Sequence, residues 1–247
     1  MSEAVHESLT VGERIQDALS FKTIFTVNVG SVSIPVTETV VTTWVVMAIL
    51  IVGAFFLTRK MKTVPEGPQV FVEALIGFLN NFMKDQIGHH WRFFAPYIGT
   101  IALFLGVANM ISFISPIAAF GFEPPFLLKP PTRDINVTAA LAIMTIVLVI
   151  FSGIAFKGVG NWLKSFFKPA PFMLPFNILE YAIKPLSLCL RLFGNILGAF
   201  IIMELIDMIL PVFLPPIVGM YFDFFDGLIQ TVVFAFLSTL YIAEAVE

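Results

Sequence analysis

Long apolar runs alternate with short polar clusters along most of this chain. Thr39 to Thr58 carries no charge over twenty residues. At 1.5 Å per helical residue that is enough to cross about 30 Å of hydrocarbon. The run stops at Arg59-Lys60-Met61-Lys62, and Pro65-Glu66-Gly67-Pro68 then breaks the chain. Over 69–90, Phe71, Leu75, Phe78, Leu79 and Phe82 recur at helical spacing among Glu73, Lys84 and Asp85. This pattern predicts an amphipathic helix lying in the membrane interface. Uncharged or nearly uncharged runs predict further spans at 93–116, 135–156, 176–210 and 217–244. Pro171 and Pro175 mark a broken re-entry ahead of the fourth span, and Pro211, Pro215 and Pro216 end it. Residues 1–38 form a polar leader, in which the β-branched stretch from Phe21 to Ile34 predicts a short extended or hairpin segment. The expected fold class is an all-α polytopic membrane protein. It has about five transmembrane helices and one interfacial amphipathic helix, with the last two helices long, tilted and membrane-embedded. Residues 39–247 form one transmembrane domain.

Composition agrees: 58% of the 247 residues are hydrophobic, 13% are charged and 28 are Phe. The net charge of −3 gives no reason to expect a nucleic-acid partner. The single cysteine, Cys189, cannot form an internal disulfide and reads as a packing residue. The acidic start, Met1 to Glu7, lacks the basic and apolar regions of a cleavable signal, so the first span is expected to remain. With the N-terminus outside, the inner segments hold nine of the basic residues: Arg59, Lys60, Lys62, Lys84, Arg92, Lys157, Lys164, Lys168 and Lys184. The outer segments hold four, Arg14, Lys22, Lys129 and Arg133. That asymmetry predicts an extracytoplasmic N-terminus and a cytoplasmic C-terminus. His89 and His90, next to Trp91 and Arg92, suit an interfacial anchor better than a metal or proton-relay site.

One basic residue is left inside a span. Arg191 lies in the middle of Pro185-Leu186-Ser187-Leu188-Cys189-Leu190-Arg191-Leu192-Phe193-Gly194-Asn195-Ile196-Leu197-Gly198. An arginine at the bilayer centre costs roughly 3 kcal/mol on insertion scales, so it is a functional candidate by default. On a helix, Asn195 falls one turn beyond it on the same face. Gly194 and Gly198 make a small-xxx-small strip beside it, where another backbone can approach. Phe200, Glu204 and Asp207 fall on the opposite face. In the last span, helical offsets from Gln230 bring Asp223, Asp226, Tyr241 and Glu244 within about 40° of one face. The order and spacing of residues show no phosphate loop, nucleophile elbow or zinc motif, and no cofactor is expected. Arginine stays protonated at any working pH, so it cannot relay a proton by releasing its own. It can hold a passing carboxylate ionised. Carboxylates lining an aqueous pocket can exchange protons with bulk water. No carboxylate of the chain can visit both sides of the cation, so a moving partner must carry it.

Leu188-Cys189-Leu190-Arg191-Leu192-Phe193-Gly194-Asn195-Ile196 resembles the signature helix of subunit a of the F-type ATP synthase membrane sector, bacterial type. Gln230 and Tyr241 are similar to positions of that family's last helix, and Asn109 and Pro130 to Thr138 match it in order. The resemblance covers about residues 35–247. It implies a proton-translocating stator subunit without a catalytic site. It also implies a bacterial plasma membrane location, a c-subunit ring, peripheral-stalk b subunits and the whole F1Fo complex as partners, and surrounding lipid. Arg191, Asn195 and Gln230 would meet the ring, with Gly194 and Gly198 packing against it. Two aqueous half-channels would draw on Glu204, Asp207, Asp223, Asp226, Tyr241, Asp134, Asn136 and Glu180. Where many members carry Glu or His nine residues after the Arg, this chain has Phe200. Glu204 or Asp207, with Asp223 or Asp226, would then serve the outer path. Glu180 is an inner-exit candidate whose plainer reading is an interfacial charge paired with Lys184. A secondary transporter binding an anion at Arg191 is the competing reading, but no duplicated halves are visible. A purely structural scaffold leaves Arg191 and Gln230 unexplained.

Overall fold

The computed structural model describes residues 23–29, 32–59, 61–118, 130–167, 171–209, 218–219 and 221–246. Five helical stretches among them are long and apolar enough to cross a membrane, as an all-α polytopic membrane protein requires. Strands β1 (Thr23–Val29) and β2 (Val32–Thr37) pair antiparallel, with Val27 opposite Ile34. The leader therefore holds the hairpin that its β-branched residues predict, and β2 feeds directly into the first helix.

Helix α1 (Glu38–Thr58) buries only Thr39, Thr42 and Val46. It leans on the body through Val46, Ala108 and Ile111, and leaves most of its apolar surface outward. Helix α2 (Pro68–Ile87) starts with Pro at its first position, where no backbone N–H is needed. Its outward row is Phe71 and Phe78, and the buried residues are Met83 and Ile87. Gly88, with φ of +67°, lets the chain turn within the 3-10 segment Gly88–His90 into α3 (Trp91–Ala118). The turn of α2 that carries Met83 and Ile87 is packed on Phe94, Ile98 and Ile242, so α2 is tied into the core at its C-terminal end. His90 packs its ring on Phe156 at 4.4 Å.

A 3-10 turn, Pro131–Arg133, leads into α4 (Ile135–Lys157). Gly158, with φ of +77°, then reverses the chain into the short α5 (Val159–Ser165). Trp162 of α5 lies so close over Gly153 that a Cβ there would stand 2.7 Å from the indole. Helix α6 (Leu174–Ile209) contains Pro185, which cannot donate a backbone bond to Tyr181. A π-helical turn, Tyr221–Asp226, precedes α7 (Gly227–Val246).

Helix α7 is the packing centre, in contact with α2, α3, α4 and α6. One cluster joins Phe94, Ile98, Val149 and Ile242; a second joins Ile101, Leu105, Leu141, Leu188, Leu192 and Phe234. Three of the buried hydroxyls turn back onto carbonyls of their own helices. Thr145 donates to Leu141 O at 2.9 Å, Ser152 to Leu148 O at 2.6 Å and Thr239 to Ala235 O at 2.8 Å. Cys189 is buried against Thr138, 3.5 Å from its hydroxyl, in the packing place expected of it.

Candidate functional site

Two contacts join α6 to α7 and to the π-helical turn before it. Asn195 Nδ2 donates to both carboxylate oxygens of Asp226, at 2.5 and 2.6 Å. Lys184 Nζ pairs with Glu244 at 2.8 Å. Rising numbers on α6 meet falling numbers on α7, so the two run antiparallel. Arg191 lies four residues from Asn195 and Gln230 four residues from Asp226, each on the Lys184–Glu244 side of that contact. Each step is about 6 Å along its helix.

Arg191 belongs to the exposed side of α6, while Leu188 and Leu192 on either side of it in sequence turn into the core. The helical wheel explains this: Leu188 and Leu192 lie within 100° of each other, and Arg191 stands at their edge, toward Gly194 and Gly198. A Cβ added at either glycine would meet nothing of this chain within 4 Å. Leu186, Leu190 and Ile183 continue the exposed apolar surface of the same helix. The cation therefore stands beside an open, smooth strip of its own helix. Gln230 is half-buried and Tyr241 packs into the core between both clusters.

The opposite face of α6 holds a second guanidinium. Arg133 is 6% exposed, and its Cζ lies 3.6 Å from the centroid of the Phe200 ring. In the turn that carries it, Pro131, Thr132, Arg133 and Asp134 are all buried. Arg133 is thus a packed cation seated over the face of the Phe200 ring.

Asn109 does bond across helices. Its Nδ2 donates to Gly227 O at 3.1 Å, and its Oδ1 accepts from Thr132 at 2.7 Å. Gly227 is the first residue after the π-helical turn, so Asn109 ties down the junction that carries Asp226. That wider turn departs from the 100° spacing over Tyr221–Asp226. Asp134 and Asn136 come together as a helix start: Asp134 Oδ1 accepts from the Asn136 backbone and from its Nδ2, both at 2.9 Å. This caps α4 and suits a carboxylate at a helix N-terminus.

Glu180 makes the expected ion pair with Lys184, at 2.9 Å. Glu244, whose side chain is 55% exposed, shares that lysine at 2.8 Å. The side chains of Glu204, Asp207 and Asp223 lie outside the described residues. The spacing of Lys184, seven residues before Arg191, could have flagged it, because 700° is nearly two full turns. Nothing in the linear order pairs Arg133 with Phe200 or Asn109 with Gly227. Asp226→Asn replaces one acceptor of the short Asn195 contact by a donor. It is expected to weaken this tie by about 1.5–3 kcal/mol. A lower unfolding temperature of the detergent-solubilised complex is the measurement that checks it.

Residues 40–243 match the family described as ATP synthase A chain. The chain belongs to that family. It is similar to ATP synthase subunit a of Moorella thermoacetica, with 37% identity over 214 residues, 87% of this chain and 93% of the relative. It is also similar to a protein of Propionigenium modestum called ATP synthase subunit a, sodium ion specific. There the identity is 35% over 222 residues, 88% of this chain and 76% of the relative. As a subunit a family member it is a non-catalytic stator subunit of the F-type ATP synthase and part of its F1Fo complex. It is a multi-pass membrane protein. The anion-transporter reading of Arg191 has no support from these relationships.

Proposed function

We propose that Arg191 is the fixed cation past which a rotating ring of c subunits carries its carboxylates, so that proton flow drives rotation. The observation that carries this reading is the place of Arg191, exposed on α6 beside Gly194 and Gly198, whose outer sides are open. A permanent guanidinium favours the ionised form of an acid that reaches it, so an arriving ring carboxyl gives up its proton there. Gln230, four residues from Asp226, offers an amide to the same encounter, and Asn195 shapes the contact one turn from Arg191. Peripheral-stalk b subunits complete the stator.

Two half-channels serve the two sides of the membrane. The outer one draws on Asp226 with Asn195, on Glu204, Asp207 and Asp223, and on the Asp134–Asn136 pair. The inner one leads past Tyr241 to Glu180. The basic residues gathered at the Lys157 end support a cytoplasmic C-terminus, an extracytoplasmic N-terminus and a place in the bacterial plasma membrane. Because one relative is named sodium ion specific, the coupling ion is the point to test.

Complex purified through a tag on this chain should bring down a c ring and b subunits. Reconstituted in vesicles, it is expected to acidify them on ATP addition in sodium-free buffer. Uptake that requires added sodium overturns the proton assignment, and a chain that purifies alone overturns the partners.

A further inference from the structure

Two turns before Arg191, and about 20° from it around α6, stands Lys184. A lysine near a membrane boundary ordinarily stretches its stem so that the ammonium reaches water. Lys184 turns inward. Its side chain is 9% exposed, against 47% for Glu180 and 55% for Glu244, the two acids it pairs with. Its Nζ lies 2.9 Å from Glu180 Oε1 and 2.8 Å from Glu244 Oε2. The rings of Tyr181 and Tyr241 lie 5.6 and 5.3 Å from the ammonium. From the end of α4, Lys157 Nζ donates to Glu244 O at 3.2 Å. The cluster thus ties the last turn of α7 to α6 and α4.

Lys157, Glu180, Tyr181, Lys184 and Glu244 line an open cleft of about 160 Å³, large enough to admit water. Taking an ammonium out of water costs several kcal/mol unless counter-charges and hydrogen bonds offset it. A lysine serving only as a surface anchor would stay outside. Held inside, it keeps two carboxylates from different helices on one water-sized basin. That basin begins about 10 Å along α6 from Arg191, seven residues at 1.5 Å.

We propose that Lys184 is a positioning residue for proton release, holding Glu180 and Glu244 together as the paired acceptor at the cytoplasmic mouth of the inner half-channel. This rests on the reading of Arg191 given above. A proton leaves a ring carboxyl by breaking its O–H bond to water in the path. It forms an O–H bond on Glu244 or Glu180, and that bond breaks again toward bulk water. The carboxylate is regenerated and no electron moves. Lys184 and Lys157 supply the facing positive charge, and the rings of Tyr181 and Tyr241 flank the Lys184 ammonium.

The test uses vesicles holding the intact complex, with ring and stalk quantified in each preparation. Lys184→Gln is expected to assemble normally and to lower ATP-driven proton uptake at least about fivefold. Lys184→Arg is expected to keep uptake within about twofold of the parent. Lys184→Glu is expected to pump worse than Lys184→Gln. The exchanged pair, Lys184→Glu with Glu244→Lys, is expected to recover much of the loss, which a merely space-filling role would not allow. Parent-level uptake by assembled Lys184→Gln overturns the proposal. So does a loss matched by lost assembly, or an exchanged pair no better than Lys184→Glu alone. Arg191→Ala is run alongside. If it loses uptake while Lys184→Gln keeps it, this proposal falls and the Arg191 reading stands; if Arg191→Ala still pumps, that reading falls first.

Discussion

Arg191→Ala is expected to abolish ATP-driven proton uptake while the ring and stalk still copurify. The size of the effect follows from the charge removed. A unit charge about 4 Å from a carboxylate, at an effective dielectric near 20, is worth about 4 kcal/mol. That corresponds to about a thousandfold in the ease of holding the arriving acid ionised. Arg191 is on the exposed side of α6, and the glycine strip beside it is open. Removing its side chain therefore leaves no hole in either apolar cluster, and assembly should survive. Arg191→Lys keeps the charge but replaces a planar fork by a mobile point charge, so it should recover only part of the activity. The readout is quenching of a pH-sensitive dye on ATP addition, with ATP hydrolysis measured on the same vesicles. Coupled uptake by Arg191→Ala at the parent's rate would reject the role assigned to it.

Gly227→Val is expected to prevent a stable fold of the junction between α3 and the start of α7. An added Cβ alone would stand 2.9 Å from the Cβ of Asn109 and 3.7 Å from its Cγ. Neither is the end of a flexible chain. Asn109 is held on one side by Thr132 and on the other by Gly227 O itself, so yielding would break both bonds. Overpacking of this kind costs about 1–3 kcal/mol, and leaving the buried amide unsatisfied adds about 1–3 more. Gly227→Ala should show a smaller loss of the same kind. Protease sensitivity and the yield of assembled complex measure it. A fully assembled Gly227→Val complex would show that this junction tolerates separation. The same pair of variants also reports on Asp226, because the residue before Gly227 carries the carboxylate that meets Asn195.

The membrane class and the run of helices were legible because apolar length and charge placement are local properties. Thr39 to Thr58 reads as a span in any context, and α1 does cover Glu38–Thr58. Arg191 stood out for a similar reason: a lone charge in an apolar helix is anomalous whatever packs around it. The contact of Asn109 across helices was also foreseeable, since a buried amide must find a partner. A π-helical turn changes the pitch over Tyr221–Asp226, and nothing in the residue types announces that turn.

From the residues alone came the spans, the isolated guanidinium, the smooth strip beside it and the match to the signature helix. All of these depend on residue type and on spacing within a single helix. The fold alone decided that Arg133 lies under Phe200, that Asn195 holds Asp226, and that Glu244 reaches Lys184 across sixty residues. Those pairings depend on which helices lie side by side and in what register. Register is set by the packing of α7 against four other helices at once, a sum of contacts that no single stretch of chain encodes.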